Sequence, residues 1–425
     1  MLRIAIAGLG TVGAGVVRLL QKNAALIAQR AGRSIEIKAV SARDKNRKRD
    51  CNLSGITWVN EPRHLANLPD VDLVVELIGG ADGVARDLAE ATLKSGKHYV
   101  TANKALLAAH GAALAVLAEQ NKAQLQFEAS VAGGIPVIKT LREGLAGNRI
   151  AVLRGILNGT CNYILTKMHD ANLSFEDVLR EAQAKGYAEA DPSADIDGHD
   201  TANKLAILTA LAFGVTPDLS AVSVEGIRHI ISLDLKLADE LGYRVKLLGM
   251  ARSSDAGIEQ RVGPCLVPQN SPLAEVHGAM NAVFMRGDFV GDLMLEGAGA
   301  GAEPTASAVV ADIIDIARGA RLPAFGLPAA DLRPLKPAQT ASAAKHYMRL
   351  QVMDKPGVVA DIAAILRDEV ISIESLLQHG SSETESVPLV ITAHEADPAA
   401  MRRAVEKIAK LGVVSAPPCL LRIED

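Results

Sequence analysis

Apolar and polar positions predict alternating strands and helices over roughly the first 130 residues. Leu2–Ala7 is a short, nearly continuous apolar run, typical of a strand buried on both faces. A glycine turn and a helical pattern through about Gln29 follow it. Further buried strands are predicted at Ile35–Val40, Val71–Ile78 and Gln124–Glu128, with helices beginning near Asp82 and Ala105. Strands that alternate with helices in this way indicate an α/β domain with a parallel sheet.

The middle of the chain has a different pattern. A strand at Ile150–Asn158 precedes two helices, the second at about Ser174–Lys185. Strand-like segments then follow at Arg244–Ala251, Gln260–Val267, Ala282–Gly287 and Leu293–Glu296. This order predicts an α+β domain, a sheet covered by helices on one side. A helix through about Ala317 is expected to rejoin the first domain.

The last part of the chain predicts a small separate module. Residues 318–345 are rich in Pro and Ala and are interpreted as a linker. From His346 onward the order is strand, helix, strand, strand, helix, strand, which is the ferredoxin-like βαββαβ pattern. The expected domains are residues 1–130, rejoined by residues 304–340, then residues 131–303, and residues 346–425.

Composition narrows the class of protein. Apolar residues make up 49% of the 425 residues, and the net charge of −4 argues against nucleic acid as the main partner. No apolar run is long enough to span a membrane, and the chain enters a strand at once, without room for a signal peptide. The four cysteines are isolated, which indicates a reduced, cytoplasmic protein without disulfides or structural zinc.

The turn after the first strand reads Gly8-Leu-Gly10-Thr11-Val12-Gly13 and opens a helix. Gly8 permits the tight turn, Gly10 lets the backbone approach a pyrophosphate, and Gly13 lets the helix pack closely on the strand. The amides at the helix N terminus then face the anion. Because the motif follows a strand and opens a helix, it predicts a Rossmann-type dinucleotide-binding domain.

The end of the second strand bears on the choice of cofactor. An NAD site usually places an acidic residue there to bind the ribose 2′-hydroxyl. This chain instead has Arg43, Asp44 and Lys45. Arg43 and Lys45 could bind a 2′-phosphate, which favours NADP as the cofactor. Because Asp44 is acidic, NAD is also possible. The alternative is a solvated charged turn.

An acidic stretch precedes and enters an apolar helical run near residue 200. Asp200 and Lys204 are four apart, so on a helix they share a face. The stretch is either a solvated loop with a surface ion pair, or a polar substrate pocket with an acid/base lysine. A calcium site is a third reading, but the spacing does not follow the calcium-loop pattern. The carboxylates concerned are Glu189, Asp191, Asp195, Asp197 and Asp200.

A second lysine, Lys104, is predicted at a helix N terminus. That end of a helix disfavours a cation, and a residue placed against a local rule suggests a functional reason. The helix end would also help to lower the pKa of Lys104. The alternative is an ordinary surface lysine at a helix start.

Two glycine-rich turns also precede helices. Carbonyls of the turn from Glu128 to Pro136, together with the Glu128 carboxylate, could coordinate a monovalent cation, or the turn could be a hinge between domains, and both can hold. The turn before Glu303 and Pro304 suggests close approach of the backbone to a ligand, or a plain interdomain loop. Thr160 is predicted to cap a further helix.

Taken in order, these parts resemble the homoserine dehydrogenase family over the whole chain. The family's motifs are present as GLGTVG near the N terminus, TANK ending at Lys104, LNGTCNYI from Leu157 and GYAEADPSADIDGHDTANKLAIL from Gly186. The strand followed by Asp354-x-Pro356-Gly357 and a helix resembles the ACT domain, which binds amino-acid effectors, usually at paired interfaces. The resemblance implies a bacterial type with a Rossmann-type domain, an α+β catalytic and dimerisation domain, and a C-terminal ACT domain.

The resemblance also implies an activity. The family interconverts L-homoserine and L-aspartate 4-semialdehyde with NAD or NADP, in the biosynthesis of threonine, methionine and isoleucine. Lys204 would exchange the proton at the substrate oxygen, and Lys104 would lie near the nicotinamide and the substrate. An effector, usually threonine, and a homodimer or homotetramer are further implications.

Other residues match family positions with assigned roles. Glu189, Asp195 and Asp200 would hold the amino and hydroxyl ends of the substrate, and Gly159 and Glu303 match substrate- or cofactor-contacting positions. The family's sodium site is matched by Glu128, with carbonyls from Val131, Gly133 and Ile135.

Acid–base chemistry agrees with this assignment. Oxidation of an alcohol requires a base for the hydroxyl proton, and reduction of an aldehyde requires an acid for the forming alkoxide. Two converging lysines would lower each other's pKa and nearby carboxylates would raise it, which leaves the sign open. Carboxylates also suit a substrate that carries an ammonium group.

Two rival functions are considered. Aspartate-semialdehyde dehydrogenase chemistry needs a cysteine nucleophile, for which Cys161 is the candidate, without a histidine near it in sequence. An amino-acid sensor would keep the glycine loop and the C-terminal module, but it would not need Lys204 with its acidic cluster.

Overall fold

The computed structural model describes residues 1–380 and 385–424. Within these residues, a six-stranded parallel sheet with the order β3-β2-β1-β4-β5-β6 forms the N-terminal domain. The strands are β1 (Leu2–Ala7), β2 (Ile35–Ser41), β3 (Thr57–Trp58), β4 (Leu73–Glu76), β5 (His98–Thr101) and β6 (Leu125–Gln126). The helices are α1 (Thr11–Lys22), α2 (Ala24–Ala31), α3 (Val84–Lys94) and α4 (Lys104–Gln120). This strand order is that of the predicted Rossmann-type fold.

Several predicted elements differ in length. The helix expected through Gln29 is two helices, because the backbone at Asn23 leaves the helical region at φ −106° and ψ 22°. The strand predicted at Val71–Ile78 ends at Glu76, whose carboxylate turns back to accept the amides of Ile78 and Gly79. The two-residue strand β3 was not predicted, since it is too short to show a pattern.

The middle of the chain forms a second, mixed sheet. Its helices are α5 (Val137–Lys139), α6 (Gly159–Ala171), α7 (Phe175–Ala184), α8 (Ser193–Ile196), α9 (His199–Phe213) and α10 (Ser232–Glu240). Its strands are β7 (Ile150–Ile156), β8 (Ser223–Val224), β9 (Tyr243–Ser254), β10 (Gly257–Pro268), β11 (Met280–Gly287) and β12 (Gly291–Ala298). Helices α6, α9 and α10 pack on this sheet. The α+β prediction is confirmed.

Helix α11 (Ala302–Arg318) returns to the N-terminal domain. It packs against α1, where a Cβ on Gly15 would lie 2.9 Å from the Ala302 carbonyl oxygen. Val309 and Ile313 of α11 share a buried core with residues of β1 and α1. The turn that precedes α11 is therefore held close to the glycine loop.

The C-terminal module has the predicted βαββαβ order. Its elements are β13 (Ala344–Met353), α12 (Val358–Asp368), β14 (Ile373–Gln378), β15 (Ser386–Ala396), α13 (Pro398–Ile408) and β16 (Val414–Ile423). Residues 381–384 and 425 of the proposed range 346–425 lie outside the described part of the chain. The strand order β16-β13-β15-β14 agrees with a ferredoxin-like fold.

The module is not a separate body on a linker. Strand β16 pairs in parallel with β10, so that the two sheets form one sheet of ten strands in the described residues. The segment interpreted as a linker is also attached, since Lys336 and Ala338 exchange backbone hydrogen bonds with Ile258 of β10. Helix α10 joins the contact through Asp234, which forms a buried ion pair with Arg349 of β13 at 2.5 Å.

Candidate active site

The two lysines singled out in the sequence meet at one carboxylate. The Nζ atom of Lys204 lies 2.7 Å from Oδ2 of Asp200, and the Nζ atom of Lys104 lies 2.6 Å from Oδ1. The Lys204 side chain is 11% exposed and that of Lys104 is 40% exposed. Because Lys104 begins α4 and the other two lie on α9, the contact joins the N-terminal domain to the second domain.

Helix α9 places Asp200 and Lys204 on one face. Gly198 starts the helix in the left-handed region at φ +87°, and Asp200 follows in the first turn, where a carboxylate is favoured. Lys204 lies one turn later, and its ammonium also donates to the Leu157 carbonyl at 2.6 Å. The sequence predicted this pair from the spacing alone.

A hydrogen-bond network holds the start of α4, where Lys104 lies. Asn103 caps α4, since its Oδ1 accepts the Leu106 amide at 3.1 Å, while its Nδ2 donates to the Gly80 carbonyl at 2.7 Å. Thr101 accepts the Asn103 amide and donates to Glu76 at 2.7 Å. The carboxyl ends of β4 and β5 are therefore fastened to the start of α4. Sequence reasoning missed Glu76, because an acid within an apolar run gave no signal of its partners.

Asn158 connects the cluster to the strand before it. Its Nδ2 donates to Oδ1 of Asp195 at 2.7 Å and to Oδ2 of Asp200 at 2.9 Å. Its Oδ1 accepts the Cys161 amide and so caps α6. The prediction of Thr160 as the cap is wrong, because α6 already begins at Gly159 and the Thr160 hydroxyl donates to the Tyr187 carbonyl.

The charged groups in this cluster shift one another's pKa values. Burial alone would raise the pKa of Asp200, but Lys204 and Lys104 outweigh it and hold that pKa well below its usual range. Burial alone would lower the pKa of Lys104, but the attraction of Asp200 raises it. The sign that the sequence left open is therefore a raised pKa, because the attraction of Asp200 outweighs burial. Burial raises the pKa of Asp195, which is partly opposed by its hydrogen bond from Asn158.

The five carboxylates of the acidic stretch separate into two groups. Asp195 and Asp200 lie in the cluster, and the charge of Glu189, which is exposed, acts on Lys104. Asp191 instead accepts the Ser193 amide at the start of α8, and Asp197 pairs with Arg228. Gly159 lies beside the cluster, where a Cβ would be 2.6 Å from the Ala279 carbonyl oxygen.

The glycine loop has the geometry that the motif predicts. Gly8 has φ +99°, and a Cβ on Gly13 would lie 2.0 Å from the Gly8 carbonyl oxygen, so packing within the chain requires both glycines. A Cβ on Gly10 would meet nothing within 4 Å. The space beside Gly10 is open, as approach of a ligand requires.

Beside this loop, the turn after β2 is organised by Arg49. Its Nε donates to the Leu9 carbonyl at 3.1 Å, and its guanidinium lies 5.5 Å from the Trp58 ring centroid. The Asp44 carboxylate accepts the amides of Asn46 and Arg47, so it stabilises its own turn. Arg43 and Lys45 are exposed. Sequence reasoning missed Arg49, which no spacing related to the glycine loop.

The predicted cation donors are already engaged in part. Both Glu128 carboxylate oxygens accept backbone amides, from Ile138 at 2.9 Å and Lys139 at 2.8 Å. The Ile135 carbonyl accepts the Val137 amide at 2.8 Å. Glu128 therefore has a structural role as the cap of a helical turn.

The same turn is buried and tightly packed. Burial and the neighbouring Asp312 raise the pKa of Glu128 to about 7, and burial raises that of Asp312 to about 6. Val131 is buried, and Gly133 has φ +53° with no room for a Cβ against Gly299. This turn connects the end of β6 to the second domain.

The second glycine-rich turn ends at α11. Glu303 is exposed in the first turn of that helix, after Gly301 at φ +119°. Asn281 lies against Gly299 in this turn and faces Gly159. Its amide is buried without a hydrogen-bond partner in the described residues. The sequence offered no reason to select Asn281, since it lies within a strand.

Comparisons with known proteins agree with this arrangement. Residues 136–314 match the family model for homoserine dehydrogenase, residues 8–128 that for the homoserine dehydrogenase NAD-binding domain, and residues 346–412 that for the ACT domain. A homoserine dehydrogenase of Neisseria gonorrhoeae is 46% identical, covering 99% of this chain and 98% of that protein. The chain belongs to the homoserine dehydrogenase family.

Solved structures of the family have the same fold. A homoserine dehydrogenase from Thiobacillus denitrificans has a TM-score of 0.92 and 42% identity, covering 100% of this chain and 98% of that one. A hyperthermophilic archaeal homoserine dehydrogenase in complex with NADPH has a TM-score of 0.63 and 27% identity, covering 74% of this chain and 97% of that one. The NAD-binding match and this complex support a nicotinamide cofactor.

Family membership makes the chain an oxidoreductase and argues against the semialdehyde dehydrogenase rival. The Cys161 thiol is buried and donates to the Asp195 carbonyl, and burial raises its pKa well above the usual range. A thiol in this state is a poor nucleophile. In the described residues, the helices are too short or too polar to cross a membrane.

Proposed function

We propose that the chain interconverts L-homoserine and L-aspartate 4-semialdehyde, with Lys204 as proton donor and acceptor. The observation that carries the proposal is the buried Asp200, which binds Lys204 on one oxygen and Lys104 of the cofactor domain on the other. The site therefore holds two ammonium groups where the nicotinamide domain meets the catalytic helices. The sensor function does not require such an arrangement.

The hydrogen bonds of Lys204 support its role. An ammonium has three protons, and the Leu157 carbonyl and Asp200 accept two of them. These two acceptors orient the ammonium group, so that its third N–H can donate to the substrate oxygen. The bound nicotinamide would supply or accept the hydride. Lys204 would donate a proton to the alkoxide that forms during reduction, and as a neutral amine it would remove the hydroxyl proton during oxidation.

Lys104 has a supporting role in this proposal. Its attraction to Asp200 raises its pKa, so that it stays an ammonium and stabilises negative charge on the substrate oxygen. Asp195 and Glu189, whose charges both act on Lys104, would bind the ammonium group of the substrate. Asn158, which donates to Asp195 and Asp200 together, would keep both carboxylates oriented.

The test is reduction of L-aspartate 4-semialdehyde by NADPH with Lys204→Ala beside Lys185→Ala. Both lysines follow a carboxylate by four residues and pair with it, but Lys185 is half exposed on α7's C-terminal end. Loss of a general acid should lower kcat by roughly two orders of magnitude or more in Lys204→Ala alone. A nearly unimpaired Lys204→Ala enzyme would transfer the role to Lys104, and an inactive wild type with both NADPH and NADH would favour the sensor.

We further propose NADP as the preferred cofactor. The Asp44 carboxylate is engaged with its own turn, whereas Arg43 and Lys45 are exposed cations beside the glycine loop. A 2′-phosphate would gain from both cations.

The remaining implications of the family are proposals of the same kind. They include a role in threonine, methionine and isoleucine biosynthesis, an amino-acid effector such as threonine on the ACT domain, and a homodimer or homotetramer. A sodium ion at the Glu128 turn is also proposed, although backbone amides already occupy the carboxylate.

A further inference from the structure

A cavity of about 730 Å³ lies where the ACT domain meets the catalytic domain. Its walls come from β8 and β10, from the segment 337–341, and from β13, α13 and β16. This size is within the range of small-molecule sites, roughly 300–1,000 Å³. The cavity shares no residue with the Lys104–Asp200–Lys204 cluster or with the Asp354–Gly357 turn.

The cavity contains more positive charge than its own pairs neutralise. Arg422 is held by carboxylates, among them Glu259 at 3.0 Å. Arg261 lies 3.8 Å from Glu225, a long and weak pair. Arg402 is exposed on α13, and no carboxylate of residues 1–380 or 385–424 lies within ion-pair distance of it. A ligand carboxylate would therefore find a cation without a competing partner.

Two buried polar atoms in the wall also have no partner. The Nδ1 atom of His346 and the Oε1 atom of Gln260 make no hydrogen bond within the described chain, and both residues are only 4% exposed. Buried polar atoms of this kind are rarely left unpaired. Burial, with the charges of Arg422 and Arg261, lowers the pKa of His346 to about 4, so the imidazole is neutral. The wall thus offers hydrogen bonds and a positive potential.

We propose that this cavity binds a free α-amino acid. The carboxylate would bind Arg402 and Arg261, and the ammonium group would bind Glu225, whose pairs with Arg261 and His229 are both long, at 3.8 and 3.4 Å. The ligand would contact the catalytic sheet, the connecting segment and the ACT domain together. Binding there would strengthen the attachment of the ACT domain to the catalytic sheet, at a site distinct from the Asp354–Gly357 turn.

The test is calorimetric titration of the full-length protein with a panel of L-amino acids that starts with L-threonine. Acetate serves as a carboxylate without an ammonium group, and ethanolamine as an ammonium group without a carboxylate. A charge-assisted hydrogen bond is worth enough that Arg402→Ala should weaken binding by roughly tenfold or more. The matched control is Arg403→Ala, since Arg403 is the next residue on α13 but pairs with Glu369 away from the cavity.

The expected result is an amino acid that binds more tightly than acetate or ethanolamine, loses affinity in Arg402→Ala, and keeps it in Arg403→Ala. Glu225→Gln should weaken the binding of the amino acid but not the binding of acetate. The proposal is overturned if no amino acid of the panel binds. It is also overturned if the Arg402→Ala protein binds the amino acid with wild-type affinity while the Asp354→Ala protein does not. It is also overturned if Arg402→Ala changes the oligomeric state without changing affinity. These binding measurements do not depend on catalysis.

Discussion

Neutralising Asp200 tests whether one carboxylate controls both lysines. Asp200→Asn keeps the size of the side chain but removes the negative charge that lies between Lys204 and Lys104. At an effective dielectric constant of about 20, opposite charges about 2.7 Å apart attract by about 6 kcal/mol, which is an upper limit for each pair. Solvent screening reduces the attraction between Asp200 and Lys104, because the Lys104 side chain is 40% exposed. Removing one partner of a buried pair should also destabilise the fold by roughly 3 kcal/mol.

The sign of the pH effect follows from the raised pKa of Lys104. Lys104 is proposed to act as an ammonium, so activity should fall at alkaline pH where Lys104 loses its proton, and loss of Asp200 should move that fall to lower pH. The midpoint of this alkaline fall in homoserine oxidation should decrease by roughly one to two pH units. In the reducing direction, the variant should lose activity at a correspondingly lower pH than wild type.

The assay records the absorbance of the reduced nicotinamide in both directions across pH. The matched control is Asp197→Asn, because Asp197 belongs to the same acidic stretch but pairs with Arg228 outside the cluster. Its profile should coincide with that of wild type. An unchanged midpoint in Asp200→Asn, with full cofactor binding, would refute the reasoning that Asp200 sets the protonation of Lys104.

Three further predictions concern the cofactor, the cation and the domain contact. Arg43→Ala combined with Lys45→Ala should raise KM for NADPH roughly tenfold and leave KM for NADH unchanged, and equal changes would contradict the preference for NADP. If the Glu128 turn binds sodium, replacing sodium by tetramethylammonium should lower the thermal midpoint, and identical midpoints would exclude that site. Arg349→Ala leaves Asp234 buried without its charge partner, so urea unfolding should show a loss of roughly 3–5 kcal/mol. A loss below about 1 kcal/mol would mean that this contact behaves like a surface pair.

Local signals accounted for the elements that were predicted well. The run Leu2–Ala7 and the loop from Gly8 to Gly13 specify their own strand, turn and helix start, because glycine conformations and apolar runs act over a few residues. The break at Asn23 and the early end of β4 at Glu76 were missed. The first depends on the backbone conformation of one residue and the second on the hydrogen bonds of one carboxylate, and apolar periodicity reports neither.

The candidate site divides in the same way. Asp200 and Lys204 lie one helical turn apart, so the sequence alone determines that they meet once α9 forms. Lys104 reaches Asp200 only because the parallel sheet is placed against the catalytic helices. Asn158 joins two carboxylates far from it in sequence, and its motif did not indicate that role.

The joining of the two sheets was decided by tertiary structure alone. The sequence determined the βαββαβ order of the ACT domain through periodicity and the Asp354–Gly357 turn. That β16 adds to the edge of β10 could not be foreseen, because backbone hydrogen bonds between strands carry no residue-specific signal. The sequence therefore determined which elements and chemical groups exist, through interactions within a few residues. Tertiary structure decided which of them share a site, because those contacts depend on the packing of whole domains.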